Sequence, residues 1–280
     1  MMKLLCSLVL LSSAVLADTQ ADIEYAKAGE VSLKLDLHRP QGENPPLIVY
    51  VHGGGWRAGS KEDMPVVDLY DQGFAIASVN YRLSTQAVFP AQVHDIKAAI
   101  RFLRANAGTY HINANKIAII GSSAGGHLAA LVGVSNGDKE LEGRVGDHLD
   151  QSSDVQGIVS LYGASNLETI LSQSTPQGLA YRIPALKLLL GDTPDKKTVL
   201  AKLASPVAHL DKNDPPLLLI HGDADPQMPP QQSEELAKAY QVLGLPVTLI
   251  MLPGSRHGGA EFYDEERTAI VAKFLDKVLR

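Results

Sequence analysis

Short apolar runs, separated by segments with helical periodicity, recur along most of the chain. Six of these runs are continuously apolar, which is typical of strands that are covered on both faces. A seventh run, at 31–38, alternates apolar and polar residues with a period of two and predicts a strand near a sheet edge with one exposed face. The six continuous runs lie at 47–51, 74–79, 116–120, 157–162, 217–220 and 247–251.

Helical patterns lie between several of these runs. Apolar residues recur three and four positions apart in 91–105 and in 233–243, as expected for helices that cover a sheet. Strands that alternate with helices in this way predict a parallel sheet in an α/β fold.

The alternation is interrupted once, between the runs at 157–162 and 217–220. Short helical pieces at 183–190 and 195–203 occur there without a convincing strand. We expect this segment, about 163–214, to form a small helical cap over the carboxyl edge of the sheet. A polar segment at 135–154, which contains several glycines, is predicted to loop over the surface.

The first 17 residues have the pattern of a secretory signal peptide. Lys3 precedes an apolar run at 4–11, and the segment ends on Ala17. A membrane anchor is the alternative, but it needs about 20 apolar residues, and Ser12 and Ser13 interrupt this run. We therefore expect cleavage after Ala17, a secreted or periplasmic location and no stable membrane anchor.

Composition favours a single globular domain at 18–280. The 280-residue chain is 45% hydrophobic and 20% charged, which excludes the disordered and multi-span membrane classes. Its formal charge of −6 loses the +1 of Lys3 with the leader and becomes −7, so we expect no nucleic-acid partner. The single cysteine, Cys6, lies in the leader, and we expect neither a disulfide nor a thiolate metal site in the mature chain.

A Gly-x-Ser-x-Gly pattern at 121–125 directly follows the predicted strand 116–120. A helical pattern at 127–134 comes next, which is the strand-to-helix context of a nucleophile elbow. In such an elbow a tight turn projects a serine hydroxyl above the sheet, and small flanking residues let the backbone pack closely. A plain turn is the alternative, but this position favours Ser123 as a nucleophile.

A glycine-rich loop, His-Gly-Gly-Gly-Trp at 52–56, ends an earlier buried strand. Such a loop presents backbone N–H groups with no side chains in the way, which suits an oxyanion hole. We expect the N–H groups of Gly54, Gly55 and Ala124 to stabilise a developing oxyanion. A flexible glycine turn is the alternative, and His52 is expected to brace the loop rather than to act as a base.

An acid and a histidine follow the last two predicted strands, in the order that an elbow serine requires. Asp225 follows the penultimate strand, and His257 lies in a glycine-rich loop after the final strand. Asp225 is expected to orient His257, which takes the proton of Ser123 and later returns it to the leaving group. Asp223 is the competing acid, and we expect it to stabilise a turn instead.

Neither the other histidines nor a metal-binding pattern provides a competing site in the sequence. His94 and His127 lie on predicted helices and are expected to be hydrogen-bonded structural residues. No His-Glu-x-x-His or comparable spacing occurs, so we expect no catalytic metal and no cofactor.

Five motifs occur in the order that is found in α/β-hydrolase esterases. They lie at 52–56, 80–83, 121–126, 221–225 and 254–257. From about residue 31 to residue 280 the chain resembles the hormone-sensitive-lipase-like carboxylesterases and, more closely, the exported bifunctional deacetylase/feruloyl esterase-like branch. The lipase-like relatives usually have Asp-Pro-Leu-x-Asp around the acid, whereas this chain has Asp-Pro-Gln-Met-Pro at 225–229, which favours the deacetylase-like branch.

The resemblance implies an α/β-hydrolase fold with a mostly parallel eight-stranded sheet, helices on both faces and a small helical cap insertion. It also implies a Ser123, Asp225 and His257 triad and an oxyanion hole from Gly54, Gly55 and Ala124. In these families the residues at 81 and 82 are part of the scaffold. For Trp56 the resemblance leaves two roles open, in the acyl pocket or in loop packing.

The implied activity is that of a secreted serine carboxylesterase that cleaves short or small acyl esters through an acyl-enzyme. The expected substrate is a small-molecule or polysaccharide-linked ester, and acetyl or feruloyl groups on plant polysaccharide are targets by analogy. An amidase or formamidase of the same fold stays open, because amide hydrolysis uses the same triad. A non-catalytic ligand-binding protein with this fold is a further alternative, although such proteins typically lose a triad member.

Overall fold

Eight strands form a single sheet in the computed structural model, which describes residues 18–280. They are β1 (Asp18–Ala28), β2 (Val31–Arg39), β3 (Pro46–Val51), β4 (Ala75–Val79), β5 (Asn113–Ser122), β6 (Gly157–Leu161), β7 (Leu217–Gly222) and β8 (Val247–Leu252). Across the sheet they lie in the order β1-β2-β4-β3-β5-β6-β7-β8. The strands from β4 to β8 in this order are parallel, whereas β1 and β2 are antiparallel at one edge.

Strand β3 explains why the buried strands have continuous apolar runs. Leu47, Val49 and Val51 belong to the larger of two hydrophobic cores, and Ile48 and Tyr50 belong to the smaller one. Successive side chains of a strand point to opposite faces of the sheet. A strand with a core on each face therefore needs apolar residues at every position.

Helices cover both faces of the sheet. They are α1 (Ala91–Ala105), α2 (Ala107–Tyr110), α3 (Ala124–Gly133), α4 (Lys139–Glu142), α5 (Ile170–Gln173), α6 (Pro176–Leu190), α7 (Thr198–Leu203), α8 (Gln231–Val242) and α9 (Glu265–Leu279). Residues of α1, α3, α6 and α8 contribute to the larger core, and residues of α9 contribute to the smaller core. The predicted fold class, an α/β hydrolase with an eight-stranded and mostly parallel sheet, is confirmed.

Two of the longer elements are absent from the sequence prediction. Strand β1 is an edge strand whose first residues are mostly exposed, and its pairing with β2 is irregular near Asp22, where φ is 58°. An exposed, bulged edge strand has no regular apolar pattern. Helix α9 does have one, with Val271, Ala272, Leu275 and Leu279 buried at helical spacing, so its signal was available in the sequence.

The segment between β6 and β7 contains α5, α6, α7 and a short 3₁₀ turn, Pro206–Ala208. Helix α6 begins at Pro176, earlier than the predicted piece 183–190. Its start is set by Thr175, whose side chain accepts a hydrogen bond from the Gly178 N–H at 3.1 Å, and by the proline in the first turn. Because proline normally ends a helix, the interior Pro184 explains why the sequence pattern predicts only the second half of α6.

The polar segment 135–154 is fastened to α1 rather than loosely exposed along its whole length. The buried Lys97 Nζ donates to the Ser135 carbonyl oxygen at 2.8 Å and to Glu142 Oε2 at 3.1 Å. Arg101 also pairs with Glu142. These contacts hold the segment against α1, which contributes to the larger core.

The carboxyl ends of β3, β5, β7 and β8 meet at one edge, because these strands are parallel. In sheets of this kind the crevice outside the carboxyl ends is where ligands bind. Within residues 18–280 no helix is long and apolar enough to cross a membrane. The predicted leader, 1–17, lies outside the described residues.

Candidate active site

Ser123 occupies a tight turn between β5 and α3. Its backbone has φ 55° and ψ −119°, a region that is strained for a residue with a side chain. The turn depends on its small neighbours, since a Cβ atom at Gly121 would lie 2.1 Å from the Gly125 carbonyl oxygen. A Cβ atom at Gly125 would lie 2.0 Å from the carbonyl oxygen of Val51 in β3. The structure therefore has the close backbone approach that an elbow needs.

Ser123, His257 and Asp225 form one hydrogen-bonded line. Ser123 Oγ lies 2.8 Å from His257 Nε2, and His257 Nδ1 lies 2.7 Å from Asp225 Oδ2. Because the carboxylate can only accept, His257 donates its Nδ1 proton to it and leaves Nε2 free to accept the serine proton. The structure thus brings together three side chains that are far apart in sequence.

Asp225 is buried and fully hydrogen-bonded. Its Oδ1 accepts the backbone N–H groups of Gln227 and Met228 at 2.7 and 2.8 Å. Its Oδ2 faces the imidazoles of His257 and His221. Burial by itself raises the pKa of Asp225, but the bonds from the two histidines outweigh it and hold that pKa well below its usual range. Asp225 is therefore a stable anion next to His257.

His221 is a second imidazole partner of Asp225, and its role is not apparent from the sequence alone. Its Nε2 lies 3.3 Å from Asp225 Oδ2 and 3.1 Å from the Met228 carbonyl oxygen. Both neighbours are acceptors, so Nε2 carries the proton, and Nδ1 accepts from the Ser233 hydroxyl at 2.7 Å. Its place in the motif 221–225 is the signal, although only the fold shows that its ring turns back onto the acid.

Asp223 has a different role from Asp225. Its side chain accepts the Gly254 N–H at 2.7 Å, and the contact is solvent-exposed. It connects the loop after β7 to the loop after β8 and does not contact His257. This agrees with the expected turn-stabilising role.

Two tyrosines line the cleft beside His257, and no sequence motif singles out either. The Tyr162 ring packs edge-on against the imidazole with centroids 5.0 Å apart. The hydroxyls of Tyr162 and Tyr263 are 2.5 Å apart. Tyr162 directly follows β6 and has φ 41°. Its position after a predicted strand was the available sequence signal that it lies near the site.

The glycine-rich loop lies against the elbow, with no side chain between them. A Cβ atom at Gly53 would lie 3.4 Å from Ser123 Cβ. Gly54 and Gly55 have φ values of 102° and 60°, which favour glycine. Outside regular helix and strand pairing in residues 18–280, no hydrogen bond is donated by the N–H groups of Gly54, Gly55 or Ala124. These donors are available to a ligand.

His52 and Tyr81 brace this loop. His52 Nδ1 lies 2.9 Å from the Gly53 carbonyl oxygen, and its ring stacks on Tyr81 with centroids 4.4 Å apart. The Tyr81 hydroxyl donates to the His52 carbonyl oxygen at 3.0 Å. Nearby, Arg82 forms a two-point ion pair with the buried Asp95.

Trp56 combines loop packing with a place beside Ser123. It is buried, and its Nε1–H donates to His127 Nδ1 at 3.1 Å. His127 Nε2 lies 2.6 Å from the Ala204 carbonyl oxygen, so this nitrogen carries the proton. Burial lowers the pKa of His127 to about 4, which keeps the ring neutral and able to accept from the indole.

Two spaces of unequal size share Ser123 and His257 as lining residues. The larger is an open cleft of about 770 Å³, whose other lining side chains include Tyr50, Tyr162, Tyr181, Tyr263, Asp63 and Gln227. The smaller has a volume of about 10 Å³ and is lined also by Gly55, Trp56, Ala124, Tyr181, Arg182 and Met228. No group of three or more His, Cys, Asp or Glu side chains within residues 18–280 is placed to hold a metal ion.

A protein-family model and several known proteins match this chain. The BD-FAE family model matches residues 35–240. Esterase LipC of Mycobacterium tuberculosis is 31% identical over 243 residues, which are 84% of this chain and 59% of that esterase. The chain thus spans a little over half the length of such curated relatives.

Two solved structures have the same fold over nearly their whole length. A truncated form of a carbohydrate esterase from gut microbiota has a TM-score of 0.84 and 31% identity, covering 95% of this chain and 98% of its own. An acetyl ester-xyloside bifunctional hydrolase from Caldicellulosiruptor lactoaceticus has a TM-score of 0.77 and 26% identity, with coverages of 92% and 96%.

Proposed function

The chain belongs to the BD-FAE family and has an α/β-hydrolase fold, and on that premise we propose that it is a serine carboxylesterase that removes short acyl groups. The observation that carries this proposal is the line from Ser123 Oγ through His257 to Asp225, with distances of 2.8 and 2.7 Å. A serine, a base and an orienting acid at hydrogen-bond distance are the parts that acyl transfer needs.

In the proposed reaction Ser123 Oγ attacks the ester carbonyl carbon while His257 Nε2 takes its proton. The ionised Asp225 stabilises the imidazolium that forms. When the tetrahedral intermediate collapses, the bond to the alcohol breaks and His257 returns the proton to the leaving oxygen. Water then attacks the acyl-enzyme by the same route and releases the acid.

The N–H groups of Gly54, Gly55 and Ala124 are proposed to bind the carbonyl oxygen as it becomes negative. Their availability supports this role, and so does the position of Gly55 and Ala124 on the lining of the smaller space beside Ser123. Loss of one donor from such a site typically raises the barrier by about 3–4 kcal/mol.

The unequal spaces beside Ser123 support a preference for small acyl groups. We assign the acyl group to the space of about 10 Å³ and the alcohol to the open cleft of about 770 Å³. An acetyl group fits the former, whereas a feruloyl group requires the larger cleft. The carbohydrate esterase and the acetyl ester-xyloside hydrolase found among similar structures support an acetylated carbohydrate as substrate.

Hydrolysis of 4-nitrophenyl acetate by the wild type and by Ser123→Ala tests the proposal. We expect the variant to lose about 10⁴-fold or more of kcat/KM, with a residual rate from the remaining site. A fluorophosphonate probe is expected to label the wild type and not the variant. An unlabelled wild type that hydrolyses no ester would favour a ligand-binding protein instead.

Substrate class needs a separate comparison. The panel consists of acetylated xylan, methyl ferulate and 4-nitrophenyl esters of increasing chain length. Within this panel we expect the acetyl esters to be hydrolysed fastest. Faster turnover of methyl ferulate would contradict the assigned acyl space. Faster cleavage of acetyl 4-nitroanilide than of 4-nitrophenyl acetate would identify an amidase.

We also propose that residues 1–17 are an export signal. The supporting features are Lys3, the apolar run at 4–11 and the small residue Ala17 at the expected cleavage position. N-terminal sequencing of protein from the periplasm or medium is expected to start at Asp18. Active protein that is found in the cytoplasm and still starts at Met1 would contradict export.

A further inference from the structure

Arg182 is a buried cation beside the proposed nucleophile. It lies on α6 with 2% of its surface exposed. It lines the smaller space together with Ser123, Gly55 and Ala124. The mechanism proposed above gives this side chain no role.

The guanidinium of Arg182 has donors that no described residue satisfies. Its Nη1 donates to Met228 Sδ at 3.4 Å, and a thioether is a weak acceptor. Its Nε and Nη2 atoms are buried and have no hydrogen-bond partner within residues 18–280. A buried charged donor without an acceptor is unfavourable, so this geometry calls for an acceptor from a ligand.

Asp225 does not supply that acceptor. It attracts Arg182 through space, but no ion pair within 4.0 Å joins them in the described part of the chain. Each Asp225 oxygen already faces two N–H groups, from Gln227 and Met228 on Oδ1 and from two histidines on Oδ2. These four contacts use the capacity of a carboxylate.

We propose that Arg182 determines acyl-group specificity by binding an oxygen acceptor on the carbon next to the scissile carbonyl. The inference rests on the proposed function, because the acyl group must be attached to Ser123 for Arg182 to face it. The space of about 10 Å³ holds one group the size of a water molecule. With its α-carbon at the mouth of this space, beside Ser123, a hydroxyacetyl (glycoloyl) group meets both conditions, because only its one added oxygen enters the space.

Methyl glycolate and methyl propionate form a matched pair of substrates. Their acyl groups have the same number of heavy atoms and differ by a hydroxyl in place of a methyl. Because the hydroxyl also activates the carbonyl, each kcat/KM is divided by the rate constant for hydroxide-catalysed hydrolysis of the same ester. We expect the corrected ratio, glycolate over propionate, to be about ten- to a hundredfold in the wild type, as for one hydrogen bond to a charged group.

Arg182→Met removes the donors and keeps an unbranched side chain. We expect the corrected ratio to fall to about one, through loss of activity on glycolate, and Arg182→Lys to restore part of it. The ratio is measured on one preparation, so a smaller folded fraction does not change it. Arg57→Met is the control, because the Arg57 guanidinium lies 5.2 Å from the centre of the Tyr181 ring and does not line the smaller space.

The outcomes separate the two proposals. A wild-type ratio near one, or an unchanged ratio in Arg182→Met, means that solvent satisfies the guanidinium and overturns the role of Arg182, while the esterase proposal stands. A fall in the ratio for Arg57→Met as large as that for Arg182→Met also overturns it, because any nearby positive charge would then suffice. If the wild type hydrolyses neither of the two esters nor 4-nitrophenyl acetate, the proposed function itself is contradicted.

Discussion

Asp223 and Asp225 stand two positions apart in one loop, and their surroundings give them separate roles. Asp225 is buried and accepts hydrogen bonds from two backbone N–H groups and two imidazoles. Asp223 is exposed and accepts one N–H from the neighbouring loop. The choice between them follows from the direction in which each carboxylate points, which the turn after β7 sets.

Asp225→Asn and Asp223→Asn are a matched pair of variants for this assignment. We expect Asp225→Asn to lower kcat/KM for 4-nitrophenyl acetate by about 10⁴-fold, because an amide no longer stabilises the imidazolium or fixes the His257 tautomer. Asp223→Asn is expected to stay within about threefold of the wild type, since the amide oxygen still accepts the Gly254 N–H. The reverse order of the two losses would make Asp223 the acid.

At this scale the sequence was enough to find residues that follow a strand and belong to an ordered motif. Ser123, Asp225 and His257 are such residues, and the structure brings them together. His221 and Tyr162 were missed because their roles depend on which way a ring turns after folding. A sequence pattern records the order of residues along the chain, not the packing of a ring on its neighbour.

At the turn between β5 and α3, the backbones of α3 and β3 approach each other so closely that there is no room for a side chain. A Cβ atom at Gly125 would lie 2.0 and 2.5 Å from the carbonyl oxygens of Val51 and His52, which belong to the neighbouring strand and its loop. These backbone atoms cannot move without separating α3 from β3.

We therefore expect Gly125→Ala to lower the free energy of unfolding by about 1–3 kcal/mol, as overpacking does. Its activity should fall as well, because the turn also positions Ser123. Gly108→Ala is the control, since no heavy atom lies within 4 Å of a Cβ built there, and we expect no loss of stability. Urea unfolding and 4-nitrophenyl acetate hydrolysis measure both effects. Equal stability of the two variants would contradict the close approach of α3 and β3.

The turn before β7 contains a carboxyl group with unusual titration. Burial raises the pKa of Asp214 to about 7, although the Asp211 N–H partly opposes this. In the unfolded chain an aspartate titrates at about 3.9, so the folded state binds this proton more tightly. The stabilisation is fully present below about pH 4 and is lost as the pH rises through about 7.

Asp214→Asn removes this titration and keeps an oxygen that can accept the Asp211 N–H. We expect its Tm to be close to that of the wild type near pH 4 and to exceed it increasingly between about pH 5 and pH 8. Thermal unfolding followed by circular dichroism over this range measures the difference. A Tm difference that does not change with pH would show that Asp214 is ionised throughout.

Elements with a regular apolar pattern were predictable, and those without one were not. The run at 47–51 identifies β3 because both of its faces are buried. Strand β1 has mostly exposed residues at its start and leaves no comparable pattern. The long helix α6 was predicted only in part, because its interior Pro184 is normally a sign of a helix end.

For the whole molecule, the order of the motifs identified the family, which composition and periodicity could not. The resemblance to the deacetylase/feruloyl esterase-like branch is confirmed by the match of residues 35–240 to the BD-FAE model. Periodicity gave an α/β fold, and the motifs gave the family. The size difference between the two spaces beside Ser123 was not predictable, since it depends on how α6 packs over the elbow.

Tyr181 and Arg182 both come from α6, whereas the reacting side chains come from turns after three different strands. Under the proposed role of Arg182, the residues that select the acyl group are encoded in one uninterrupted stretch of the gene, separate from those that react. A chimera that receives α6 from a relative would inherit a new selectivity and keep its parent's chemistry. Constructing such chimeras is a practical route to new deacylating catalysts on this scaffold.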